Sequence, residues 1–143
     1  MRITIHQPEH LPWLGLFHKI ASVDTFVILD TVQFRKNYFQ NRNKIRTKTG
    51  WSWITVPVSH SLHTPIRDVR IAESGIWAKK WWQAIWHAYA KAPFFDAYAV
   101  SFKKVIETKT KSLSELNSAL IRAICQILGI TSSIIPASSL DID

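Results

Sequence analysis

The sequence predicts an α/β fold: a Rossmann-like βαβ core with a mostly parallel sheet, followed by C-terminal helices. Three observations carry this expectation. An alternating run at the N-terminus and a wholly apolar run near residue 27 flank a short helical pattern. The spacing of these three segments suits one parallel crossover unit. The second half then holds three long stretches of helical periodicity.

The elements follow in order. Residues 2–6 (RITIH) alternate and predict a strand ending at His6. Pro8 and Pro12 bracket a loop, because proline fixes its own φ and pushes its predecessor out of the α region. Leu14, Phe17, Ile20 and Ala21 then share one face of a short helix within residues 13–22. Residues 25–29 (TFVIL) predict a strand buried on both faces, as in a parallel sheet. Such sheets bind ligands at the carboxyl ends of their strands, so His6 and Asp30 are expected on one sheet edge. Residues 35–48 (RKNYFQNRNKIRTK) read as a basic loop, and residues 51–57 (WSWITVP) as a strand. Residues 66–71 (IRDVRI) alternate and predict another strand. Helices are expected over 77–90, 94–108 and 113–128, with Ser112 or Ser114 starting the third and Gly129 closing it. Residues 131–135 suit a last short strand. The segment SSIIPASSLDID reads as a strand, a turn and a fresh start, so the fold is expected to be incomplete at its C-terminus.

Composition narrows the class. At 143 residues the chain has the size of one domain, read as a single α/β domain over 1–143, and can bury a sizeable core. Hydrophobic residues make up 47% and charged residues 20%, which excludes a disordered chain. No window approaches the roughly 20 apolar residues of a transmembrane helix, and no signal peptide is evident, so the expected compartment is the cytoplasm. Cys125 lies in an apolar helical run and reads as a core residue. The net charge of +8 favours an anionic partner, and the run at 35–48 concentrates it, with six Lys or Arg and no carboxylate.

Candidate chemistry gathers around HQPEH. His6 and His10 flank Pro8, so they do not share a helical face, and the H-E-x-x-H zinc pattern is absent; no metal is expected. Two readings stay open: rings hydrogen-bonded within a tight turn, or imidazoles serving an anion or a proton at a helix N-terminus. In outline the arrangement is similar to nucleotidyltransferases of the HIGH superfamily, which hold two histidines in the loop between first strand and first helix. Glu9 stands where that family has glycine. Asp30 and Gln33 follow the second strand; Asp30 reads either as a ligand-orienting carboxylate or as a turn former. Asn41, Arg42 and Asn43 supply donors suited to sugar hydroxyls, carboxylate or phosphate. Phe34, Tyr38 and Phe39 interleave with the charges, as in single-strand binding, but no RNA-binding signature is present and nucleic acid is not the expected partner. Of seven tryptophans, Trp77, Trp81, Trp82 and Trp86 lie on one expected helix. Trp77, Trp81, Ala84, Ile85 and Ala88 form its core face. Trp82, Trp86 and Tyr89 form a second face suited to an intraprotein or subunit interface, so a homo-oligomer or docking through this helix is expected.

The blocks HQPEHLPWLGLFHKI, DTFVILDTVQF, QNRNKI and WSWITVPV stand here in the order found in WbqC-like proteins of bacteria, and AYAKAPFFDAY resembles that family's helix ending. The chain resembles the N-terminal part of this family. The resemblance implies a place in O-antigen or other surface-polysaccharide (lipopolysaccharide) biosynthesis, and a transferase attaching glycine or another acyl group to a sugar. It also implies that family members continue past residue 143. Thr31 stands where a second acidic residue often follows Asp30. No cofactor is certain on this reading; a nucleotide or nucleotide-activated donor is the expected anionic small molecule. The alternative is a non-catalytic docking or nucleotide- or nucleic-acid-binding module. The candidate catalytic residues are His6, His10 and Asp30. The candidate substrate-binding residues are Gln7, Trp13, Lys19, Gln33, Arg35, Asn41, Arg42 and Lys44.

Overall fold

A computed structural model describes residues 1–72 and 75–140. The end of the segment expected to make a fresh start, 141–143, lies outside the described residues. In chain order the elements are β1 (Ile3–His6), α1 (Leu14–Ala21), β2 (Thr25–Ile28), β3 (Arg42–Thr47), β4 (Gly50–Thr55), β5 (Val58–Ser59), β6 (Arg70–Ile71), α2 (Trp77–Tyr89), α3 (Phe95–Glu107), α4 (Leu113–Ile127) and β7 (Ser133–Pro136). Short 3-10 turns cover Ile66–Asp68 and Ala137–Ser139.

The crossover unit forms as the periodicity requires. β1 and β2 pair in parallel with His6 opposite Ile28, so both strands end on one edge. β7 pairs in parallel with the other side of β2, Ile28 facing Pro136. The sheet order is β1-β2-β7, which makes β2 the central strand. That explains its unbroken apolar sequence: Phe26, Val27 and Ile28 are all buried.

The core has two clusters, and α4 borders both. Leu113, Leu116 and Leu120 join the hairpin, α2 and α3 cluster. Ile121 and Cys125 join the cluster of Leu16, Phe17, Ile20, Phe26, Ile28 and Ile134. Each stripe alone follows helical spacing, so α4 is amphipathic twice over. Ser112 caps it, its Oγ accepting the Glu115 N–H at 3.3 Å. Gly129, at φ +67, ends it in the left-handed conformation, with Ile130 N–H returning to Cys125 O.

Two segments differ from the sequence reading. The basic run at 35–48 is not all loop: residues 42–47 form β3, an antiparallel partner of β4. Its alternation is concealed because Ile45 is its one buried apolar residue. Arg42, Lys44 and Arg46 face outward opposite Thr55, Trp53 and Trp51, while Ile45 and Ile54 reach the core. Residues 66–71 are not one strand. Pro65 leads into a 3-10 turn whose Arg67 N–H donates to Asp30 O at 2.9 Å, leaving only Arg70 and Ile71 to pair with β5.

The tryptophan helix turns residues of both expected faces toward other elements of the chain. Trp81 is buried. Trp82 stacks on Phe95 of α3 at 6.2 Å, and the Tyr89 hydroxyl accepts the Arg46 N–H at 3.0 Å. Trp86 remains 50% exposed. A two-faced helix thus holds the hairpin and α3 together.

Candidate functional site

Pro8, Pro12 and the start of α1 turn the HQPEH segment across the carboxyl edge of the sheet. His10 and His6 leave this turn into different surroundings.

His10 is fully buried. Its Nε2 accepts the Trp81 indole N–H at 2.8 Å. An indole nitrogen only donates, so the His10 proton sits on Nδ1, which donates to Asn117 Oδ1 at 2.9 Å. The Asn117 amide nitrogen then donates to Pro8 O at 2.8 Å and Gln40 O at 2.7 Å. The side-chain polar groups of His10, Trp81 and Asn117 thus each have a partner of the correct sense. Burial lowers the His10 pKa to about 4, against the opposing effect of the Asn117 bond, so the ring is neutral near pH 7. Asn43 locks the turn from outside, its Nδ2 donating to His10 O and Leu11 O.

His6 is half-buried at the strand end. Its Nδ1 lies 3.0 Å from Gln7 O. A carbonyl only accepts, so Nδ1 carries the proton and Nε2 keeps its lone pair in the neutral ring. Trp13 meets the imidazole edge-on at 5.4 Å. That placement depends on Gly15: a Cβ there would meet the Trp13 indole nitrogen at 2.2 Å. Burial raises the Glu9 carboxyl above its usual range, while nearby His6 opposes the shift. Gln7 is held by Gln40, whose Nε2 donates to Gln7 Oε1 at 2.7 Å and whose Oε1 accepts Arg35 N–H at 2.7 Å. No side chain caps the N-terminus of α1, and its first turn holds no acidic residue. Within that first turn the Leu16 N–H donates to Trp13 O at 3.0 Å, and the positive end of the helix dipole lies at Leu14.

The remaining candidates fall into separate places. Asp30 is buried on the same sheet edge, but its carboxylate accepts Ser138 N–H at 3.0 Å and Ser138 Oγ–H at 2.6 Å. It fastens the turn after β7 and borders a polar cleft shared with Arg67, Ser118 and Arg122. Lys19 donates to Ile5 O at 2.9 Å, tying α1 to the edge strand. Gln33 is exposed and bridges backbone-to-backbone with Pro65. Arg35 is exposed, with its N–H on Gln40. Asn41 donates to Val56 O at 3.0 Å. Arg42 donates to Asn37 O at 2.6 Å and lies 4.2 Å over Trp53; Lys44 lies 3.9 Å over Trp51. The structure thus gathers His6, Gln7, Glu9 and Trp13 in one place, with Gln40 behind them. It sets Arg42 and Lys44 on the hairpin, and Asp30 with Ser138.

Gln40, Asn117 and Trp81 organise the site, and none of the three was among its sequence candidates. Gln40 lies inside the QNRN block and carries no local signal that sets it apart from Asn41, Arg42 and Asn43. Asn117 carried one available signal: a polar residue on the apolar side of an amphipathic helix.

The sequence matches the model of the WbqC-like protein family over residues 7–143. It is similar to the uncharacterised protein Rv1507c of Mycobacterium tuberculosis (strain ATCC 25618 / H37Rv), with 39% identity over 133 residues. That match covers 91% of this chain and 57% of the relative, so the chain spans little more than half of that protein's length. No solved structure matches. With nearly its whole length inside the family's pattern, the chain belongs to the WbqC-like protein family.

Proposed function

We propose that the chain carries part of a transferase of bacterial surface-polysaccharide (O-antigen, lipopolysaccharide) biosynthesis, moving a glycyl or other acyl group from an activated anionic donor to a sugar. The observation that carries this reading is the His6 tautomer. Its Nδ1–H is held by Gln7 O, which leaves Nε2 as a base at the carboxyl edge of a parallel sheet. His6 Nε2 takes the proton of the sugar's amine or hydroxyl as that group attacks the acyl carbon. The bond from acyl carbon to the donor's phosphate or nucleotide oxygen breaks, and the leaving group departs with the electron pair. The uncapped start of α1 supports this reading, because a helix N-terminus favours an anion. Glu9, held towards its neutral form by burial, is suited to return a proton. On this reading β1-α1-β2 acts as a Rossmann-like donor cradle in a cytoplasmic enzyme, and His10 is a positioning residue rather than a base.

Thermal unfolding with nucleotides, nucleotide-sugars and aminoacyl or acyl phosphates tests the reading. At least one donor class raises Tm in the wild type, and His6→Ala loses that shift while keeping its own Tm. Stabilisation by none of these donors contradicts it.

A further inference from the structure

The outer face of the β3–β4 hairpin has no part in the proposed chemistry. Register places Arg42, Lys44 and Arg46 on it, opposite Thr55, Trp53 and Trp51. Trp51 is 56% exposed and Trp53 39%. Phe39 meets Trp53 at 6.2 Å, and Tyr38 meets Phe39 at 5.5 Å, which extends the aromatic surface beyond the strands. Arg42 and Lys44 sit over the indole rings, 4.2 Å from the Trp53 centroid and 3.9 Å from that of Trp51. No Asp or Glu occurs anywhere from Thr31 through Arg67, so no carboxylate of this segment neutralises the face.

A cleft of about 450 Å³ opens beside it, between the end of the HQPEH turn, β3, α2 and α3. Its walls include Leu11, Ile85, Phe95 and Phe102, with Phe94 and Tyr98 exposed at 70% and 43%. Lys44 belongs to both features: its ammonium lies over Trp51 and Trp53, and the residue also lines the cleft. A cation-and-indole face joined to an apolar cleft has the layout of a membrane–water boundary, where indoles and lysines sit at headgroup level.

We propose that this face and cleft bind an anionic lipid at a bilayer surface, the phosphate on Arg42, Lys44 and Arg46 and an acyl chain in the cleft. The volume falls within the range of small-ligand pockets. Single-stranded nucleic acid fits less well. Trp51 and Trp53 cross at 83° and cations lie over their rings, so no parallel platform is open to successive bases. Among the described residues no helix has the length and apolarity to span a membrane.

Co-sedimentation of the full chain with vesicles tests the proposal. Vesicles of phosphatidylcholine with phosphatidylglycerol bind at least about tenfold more tightly than phosphatidylcholine alone, because several cations meet the surface. Lys44→Glu, at an exposed position, weakens binding about tenfold or more. Phe94→Glu, on the cleft rim, removes the part of binding that survives high salt. Circular dichroism confirms that both variants fold. Equal binding to neutral vesicles overturns the proposal, as does indifference to both variants. Full competition by inorganic phosphate makes the face a free-anion site and overturns the lipid assignment. Displacement of vesicles by a single-stranded oligonucleotide of comparable affinity reassigns it to nucleic acid. A concentration-dependent dimer in sedimentation velocity that Phe94→Glu dissociates shows a second copy in the cleft, with the same consequence.

Discussion

His6 and His10 leave one turn four residues apart and reach opposite surroundings. His10 has both ring nitrogens engaged, by Trp81 and Asn117, and no exposure to solvent. His6 has one nitrogen engaged by a carbonyl and lies at the open end of β1, beside a tryptophan that is 53% exposed. The comparison separates a ring closed on both sides from a ring left open on one. A buried imidazole with a donor on one side and an acceptor on the other is locked in one tautomer and cannot exchange a proton without losing a bond. An imidazole anchored only through Nδ1 keeps a defined orientation and a usable lone pair. The two surroundings adjoin: Asn117 ties His10 to the Pro8 and Gln40 carbonyls, and the Gln40 side chain holds Gln7.

The largest effect is expected on the closed side. Asn117→Ala leaves the His10 Nδ1–H, Pro8 O and Gln40 O without partners inside the protein. Unsatisfied buried groups cost about 1–3 kcal/mol each, so a loss of about 4 kcal/mol is expected in urea unfolding. A loss below about 1 kcal/mol would mean that water replaces the network.

The next effect is pH dependence. His10 has a folded pKa of about 4 and an ordinary value of 6.5, so between these limits the unfolded chain binds more protons. Its contribution is complete above pH 6.5, falls as the pH drops, and is lost by about pH 4. The difference is worth about 3 kcal/mol. Glu9, whose carboxyl is raised by burial, acts with the opposite sign, since its neutral form is favoured in the fold. Comparing wild type with His10→Gln across this window isolates the histidine; the variant's profile is flatter.

Asp30 sharpens the comparison at a third place on the same edge. Asp30→Ala removes two bonds to Ser138 and costs about 2 kcal/mol, with donor-induced stabilisation retained. The smallest effect on stability belongs to the open side. His6→Ala changes unfolding by less than about 1 kcal/mol, yet abolishes the donor-induced Tm shift. A large destabilisation by His6→Ala would erase the distinction between the two histidines.

The sequence carried the crossover unit and the three long helices, because their periodicities are local. RITIH alternates, TFVIL is apolar after Thr25, and the helical stripes at 77–90, 94–108 and 113–128 run within one residue of the observed ends. The hairpin was less legible: β3 buries one apolar residue between outward cations, which is also how a solvated loop is composed. The site divided in the same way. The sheet edge at His6 and Asp30 follows from local pattern and topology. The role of His10 does not, since Trp81 and Asn117 reach it from 71 and 107 positions away. Asp30 was readable as an edge carboxylate, but Ser138, which occupies it, arrives from the far side of β2 through β7. Partners that meet only through tertiary packing leave no spacing to read.

The division between the two rings is most directly measured by imidazole-resolved nitrogen NMR across pH, with and without an acyl-phosphate or nucleotide-sugar donor. His10 is expected to keep its Nδ1–H neutral form down to about pH 4 and to ignore the donor, while the His6 resonances move when the donor binds. Protonation of His10 near pH 6.5, or a donor that moves His10 and leaves His6 unchanged, would contradict the account.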